Sequence, residues 1–344
     1  MTAKPPLVMD RSGPHAQRGI ALLTALFIVA LATIAAVALV SSSSIALRRT
    51  ENLIDSERAW WYADGAESWV KSILVEDTKS KKGNPPPDSL GDAWAQPIDF
   101  LPIDQGGIRG RVIDLQGLFN LNNLGVTNQA QLANVTQQFQ RLLENIKGID
   151  SFTAAGLGEA IHDWIDADDD RIGANGAEDG DYLSLDPPYR AANQPFRSVS
   201  ELMAVRGMTA DLYTKLLPNI CAIPLAGKAT APTPTPININ TAPLPVLMSL
   251  SATLDAQKVQ AFTEDRIKNP ATDTTIIQNW GQTSGAVAPK DVTVSSQYFE
   301  LQAEVVVGSA RVALYSVFLR PPGSGGTNGP PVVPVVIAHS TDTE

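Results

Sequence analysis

Between Ile20 and Leu47 the chain carries no charged side chain, and Ile20–Val40 is the most apolar stretch in its 344 residues. A helix of about 20 residues rises about 30 Å, the thickness of a bilayer core. The chain must therefore place this stretch in a membrane or lose it to processing. The preceding segment, Met1–Gly19, carries Lys4, Arg11 and Arg18 against Asp10, which holds that end on the cytoplasmic side. Arg48 and Arg49 on the far flank reduce the charge asymmetry.

Three readings of this end compete. A secretory signal peptide would be cut after the apolar run, but the run exceeds the usual ~7–15 residues, and Ser41–Ser44 offers no good cleavage site. A plain single-span anchor fits the composition. In a prepilin leader, a basic segment ends in Gly, the cut falls before the apolar run, and the helix stays in the mature protein. Gln17-Arg18-Gly19 followed by Ile20-Ala21-Leu22-Leu23 resembles this third pattern. Beyond the span, Ile45–Lys79 lacks proline, and Leu47, Ile54, Ala59, Tyr62, Ala66, Trp69, Val70, Ile73 and Leu74 recur at helical spacing. The span is thus expected to continue as an amphipathic stem, ending near Lys79–Gly83 before Pro85-Pro86-Pro87.

The net charge of −10 argues against a nucleic-acid partner, because phosphate binding needs a basic face. The single cysteine, Cys221, precludes an internal disulfide and sits among apolar neighbours, as a small core residue does. The three histidines, His15, His162 and His339, are too scattered for a zinc site.

The rest of the chain divides by composition. Asn84–Asp104 reads as loop and Gly107–Phe119 as a strand. Helical spacing then marks Gln129–Ile146 and Gly158–Ile165. Ser198 with Glu201 forms a capping signature, and Asp211–Leu217 is a further helix stopped by Pro218. Ala229–Pro236 is a linker signal, followed by helical segments at Pro245–Ser251 and Asp255–Lys268. Tyr298–Val307 and Ala310–Leu319 flank Gly308-Ser309, a two-residue hairpin turn. Pro321–Glu344 is expected to be a mobile tail, and no internal repeat is visible.

Glu159, Asp163, Asp166, Asp168, Asp169, Asp170, Glu178, Asp179 and Asp181 crowd together with Arg171. Carboxylates ~5 Å apart repel by about 3 kcal/mol per pair at an effective dielectric of ~20. The cluster therefore needs solvent, protonation or a cation. Asp166, Asp168 and Asp170 alternate, so a loop can converge their oxygens, and calcium accepts such hard donors. An EF-hand fits poorly, because Arg171 stands at the turn glycine and Glu178 falls one residue late. A different calcium loop, closed by Glu178, Asp179, Asp181 and Asn193, competes with a solvated acidic loop. A catalytic carboxylate pair needs an apolar pocket, and dense Asp with Gly and Asn suggests the opposite. Ser200–Met208 also resembles a helix-hairpin-helix unit, which raises the alternative of a membrane-anchored DNA-binding protein of a competence-like system; its cations Arg197, Arg206 and Lys215 are few.

Several segments together are similar to the minor pseudopilin K of bacterial type II secretion systems. They are the Gly19/Ile20 junction, His162–Asp168, Gly176–Asp179, Ser200–Leu202 with Val205–Met208, and Asn238–Pro243. The resemblance spans roughly residues 12–320. It implies an α+β, pilin-like fold: a long N-terminal transmembrane and stem helix, an antiparallel sheet, and a large inserted α-helical domain. The implied boundaries are a leader at 1–19, span and stem at 20–82, sheet at 83–122, insertion at 123–228, sheet again at 229–320, and a flexible tail at 321–344. Most pilin-like chains carry Glu at the fifth mature position, where this chain has Thr24; lack of that Glu marks the subunit at the pseudopilus tip. The resemblance further implies cleavage and N-methylation at Gly19 and Ile20, and calcium held by residues among Asp166, Asp168, Asp170, Glu178, Asp179, Asp181 and Asn193. The implied partners are minor pseudopilins I and J and the inner membrane. Neither nucleic acid nor a small-molecule substrate is expected, and no enzymatic activity.

Overall fold

The structure, a computed structural model, describes residues 15–81, 85–225, 232–281, 287–321 and 333–341. Most of the expected leader, part of the linker and much of the expected tail lie outside the described residues. The chain divides into two units, Met1–Glu57 and Arg58–Glu344.

The described part of the first unit is the opening stretch of helix α1, His15–Ser80. From Gly19 onward it includes the one helix among the described residues long and apolar enough to cross a membrane, with a mean hydropathy of 2.7 in its most apolar window. Its hydroxyls fold back on the helix. Thr24 Oγ1 donates to the carbonyls of Ile20 and Ala21 at 3.1 and 3.0 Å, and Thr33 and Ser44 reach back one turn likewise. These hydroxyls are thereby satisfied locally, as lipid requires.

In the second unit the remainder of α1 is followed by β1 (Ile98–Ile103), β2 (Gly106–Asp114) and β3 (Phe119–Asn120). Helices α2 (Gln129–Glu144), α3 (Ser151–Ile165), α4 (Asp179–Tyr182) and α5 (Ala210–Leu216) lead to β4 (Ile220–Cys221). Next come β5 (Ile237–Asn238), α6 (Leu244–Ser249), α7 (Ala256–Asp265) and β6 (Val292–Thr293). The chain closes with β7 (Tyr298–Val307), β8 (Ala310–Leu319) and β9 (Val335–Thr341).

The main sheet is five-stranded and antiparallel, in the order β1-β2-β7-β8-β9. The β7–β8 hairpin matches the sequence expectation, with Gly308 at φ 53° in its turn, a conformation costly for other residues. Two strands differ from expectation. β1 forms within the segment read as loop, and β9 forms within the segment read as mobile tail, pairing with β8 from Leu314↔Thr341 to Leu319↔Val335. Proline and glycine around both hide their strand character, and pairing across the chain supplies it.

One face of α1 packs on this sheet. Ala59 and Ala63 meet Val305, Val307 and Leu314; Val70 and Leu74 meet Trp94, Phe299 and Phe318. The small alanines set a close approach. Leu47, Ile54 and Trp69, placed on the predicted apolar face, are exposed, whereas the buried Ala63 escaped prediction.

The insertion leaves β2 at Asp114 and returns at β7, where Phe299 is the residue paired with Asp114. Asp114 ties the two ends together. Its Oδ2 accepts from Asn238 Nδ2 (2.9 Å), Thr241 Oγ1 (2.6 Å) and Ser296 Oγ (2.6 Å), and its Oδ1 from the Gln116 amide (2.9 Å). Burial pushes its carboxyl up to about 6.

The helical insertion, expected over 123–228, is larger. A single apolar core joins Phe119, Phe139, Trp164, Tyr182 and Leu216 to Val246, Phe262, Trp280 and Val292, so residues through β6 belong to it and the sheet resumes only at β7. This core contains a duplication, seated on two like tetrapeptides, Phe119-Asn120-Leu121-Asn122 and Ile237-Asn238-Ile239-Asn240. Asn122 brackets Phe196, donating to its carbonyl (2.9 Å) and accepting from its amide (2.7 Å). Asn240 brackets Ala271 in the same way, at 3.0 and 2.8 Å. Each bracket follows a two-residue parallel bridge, β3–β4 in one case and β5–β6 in the other.

Candidate metal centre in the acidic loop

Helix α3, capped by Asp150 accepting from the Phe152 and Thr153 amides at 3.0 Å, carries Glu159 and Asp163 one turn apart on one face, and Asp166 follows as its extended C-cap. The following loop folds back onto these carboxylates. Asp163 accepts from the Ile172 amide (3.1 Å) and Glu159 from the Asn175 amide (2.7 Å). The wrap is tight: a Cβ on Gly176 would stand 2.2 Å from Asp163 Oδ2 and 2.4 Å from the Ile172 carbonyl. Trp164, Tyr182 and Tyr189 form the aromatic support, with Trp164 edge-on to Tyr182 at 5.2 Å. His162 bridges Leu124 O (2.6 Å) and Asp166 Oδ2 (3.3 Å), orienting that carboxylate.

The predicted ligands separate into two groups. Buried oxygens without hydrogen-bond partners occur on Asp166 (Oδ1), Glu178 (both Oε) and Asn193 (Oδ1). Glu178 is 6% exposed. Loss of water, with Asp163, Asp166, Asp169 and Asp168 adding repulsion, pushes its carboxyl up to about 7. Burial also pushes Asp166 up to about 6, against the opposing pull of His162. Asp168 and Asp170 are exposed, and Asp168 Oδ1 accepts from the Asp170 amide at 2.9 Å.

Asp179 and Asp181, by contrast, are engaged by arginines. Asp179 pairs with Arg190 and accepts from the Ala191 amide (3.1 Å). Asp181 pairs with Arg171 and, at 2.9 Å, with Arg206. Sequence spacing gave no sign of these pairings, because two of the arginines lie outside the acidic run. Nor did it place Asp169, which accepts from Asn193 Nδ2 at 3.3 Å and orients its orphaned oxygen. All unpartnered donors are hard oxygens on a folded loop, the set that suits calcium.

The hairpin that resembles a helix-hairpin-helix unit is present, from a capped turn at Val199–Ala204 to α5. Two of its cations are taken internally: Arg206 by Asp181 at 2.9 Å, and Lys215 by Asp211 at 2.7 Å.

The family described as "Type II secretion system (T2SS), protein K" matches residues 117–225, the first part of the helical insertion. The chain is similar to the type II secretion system protein K of Aeromonas hydrophila, 35% identical over 314 residues covering 88% of this chain and 93% of the relative. The protein K of Pseudomonas aeruginosa is likewise 35% identical, over 310 residues covering 88% and 89%. The chain belongs to the type II secretion system protein K family. Its fold is similar to a chain in the crystal structure of the GspK-GspI-GspJ complex from enterotoxigenic Escherichia coli, with a TM-score of 0.66, 27% identity, and coverage of 86% of this chain and 100% of that one. As a protein K chain it is a minor pseudopilin, a structural component of the secretion system and not an enzyme. Its apolar N-terminal helix fits an inner-membrane anchor. Nothing in these likenesses favours DNA binding.

Proposed function

We propose that this minor pseudopilin caps the pseudopilus tip and helps initiate its assembly for protein export, with minor pseudopilins I and J as its direct partners. The observation that carries this reading is the likeness, over 86% of the chain, to a chain of the GspK-GspI-GspJ complex. Thr24, whose hydroxyl is satisfied within its own helix, supports the terminal position, since no carboxylate there calls for a neighbour's amine. Arg58 onward forms a periplasmic head. Co-expression with the I and J subunits of the same system should yield a ternary complex that survives gel filtration; failure of the three to co-migrate counts against the reading.

The acidic loop binds calcium in this proposal. Asp166, Glu178 and Asn193 supply buried oxygens that lack partners, and Asp168 and Asp170 lie beside them as exposed donors. Asp179 and Asp181 shape the loop through their arginines. Bound calcium would neutralise the cluster and hold the loop by binding-linked stabilisation. Adding calcium to chelated protein should raise the melting temperature by several degrees. Glu178→Gln should remove most of that gain, and an unchanged curve in the wild type counts against the site.

A further inference from the structure

A second set of carboxylates lies where the last turn of α1 meets the loop at 87–92 and the end of β8. Asp77, Asp88 and Asp92 each place a ligand oxygen within 4.8 Å of the other two. Asp88 is fully buried, Asp77 nearly so, and the Asp92 side chain is 11% exposed. Two cations face them. Lys81 Nζ donates to Asp77 (2.9 Å), to Asp92 and to the Pro87 carbonyl (3.0 Å). Arg320 pairs with Asp88 and donates to the Ser296 carbonyl. Two positive charges against three negative ones leave one carboxylate charge uncompensated. Asp88 Oδ2 takes Arg320 and the Ser296 amide (2.6 Å), while Oδ1 is buried without a partner. A buried carboxylate oxygen left unmatched is costly.

We propose that Asp77, Asp88 and Asp92, with the Pro87 carbonyl, form a binding site for a hard divalent cation of calcium's size, and that Lys81 is a resident ammonium which the ion displaces. Three carboxylates and a backbone carbonyl are the donors such an ion takes, with water completing the shell. Lys81 is the movable member, 22% exposed on a flexible stem. Arg320 is fixed: 9% exposed, bonded to Thr78 Oγ1 at 3.3 Å and stacked 4.9 Å over the Phe299 ring. With the ion bound and Lys81 in solvent, Arg320 and the divalent charge together balance the three carboxylates. The ion would then fasten the end of α1 to the loop beside the sheet.

The test uses the full chain in detergent, carrying Asp166→Asn and Glu178→Gln so that the acidic loop is silent. Success or failure here is therefore separate from the acidic-loop reading. Calorimetric titration with calcium chloride should show one saturable site. Adding Lys81→Met should tighten it about tenfold or more, because the competing charge is gone. Adding Asp92→Asn, at the margin of the cluster, or Asp88→Asn should abolish it. The proposal is overturned by no uptake with Lys81 in place, by uptake only after Lys81→Met, or by uptake that Asp92→Asn leaves unchanged.

Discussion

Glu178 shows how much one side chain depends on its surroundings. With its carboxyl pushed up to about 7 by burial and four aspartates, it is partly protonated at neutral pH. A cation needs the ionised form, so calcium affinity should rise as pH increases through 7 and fall below it. Titrations at pH 6 and pH 8 should differ by roughly tenfold, and a flat profile removes Glu178 from the ligand set. The run of Asp and Glu made this region legible in the sequence. Which oxygens stay free did not show there, because Arg190 and Arg206 reach the cluster from later segments.

Among the elements, each asparagine bracket closes one half of the insertion on itself. Each satisfies both backbone groups of a residue far along the chain, 74 positions away for Asn122 and 31 for Asn240. Asn240→Ala would orphan a buried amide and carbonyl at Ala271. The expected loss is roughly 2–5 kcal/mol, read by denaturant unfolding; a loss under about 0.5 kcal/mol contradicts the bracket's role. Helix α2 was legible because its buried Leu132, Val135, Phe139, Leu142 and Leu143 keep helical spacing. The brackets were not read, because the shared Phe119–Asn122 and Ile237–Asn240 pattern is only four residues long and does not reveal that its last asparagine meets Phe196 or Ala271. Strands β1 and β9 escaped for a related reason: their identity lies in the neighbour they pair with.

At the scale of the whole chain, the apolar end and the head obey different solvents. The head's core was foreseeable from apolar spacing, though not its extent through β6, because helices α6 and α7 follow a proline-rich linker that reads as a boundary. The mature chain is expected to begin at Ile20 with a methylated amine. Mass spectrometry of the purified protein should show that terminus, and Gly19→Val should leave the precursor uncut; normal processing of that variant would refute the leader assignment.

The rung shared by Asp114 and Phe299 acts as a doorway in the sheet. Whatever folds between the two posts can enlarge or shrink without shifting a pairing of the five-stranded sheet, provided its ends come back about 5 Å apart and still bring donors to Asp114. A lineage of such subunits is thus free to vary the size of what it carries there while the five-stranded sheet and the helix packed on it stay as they are.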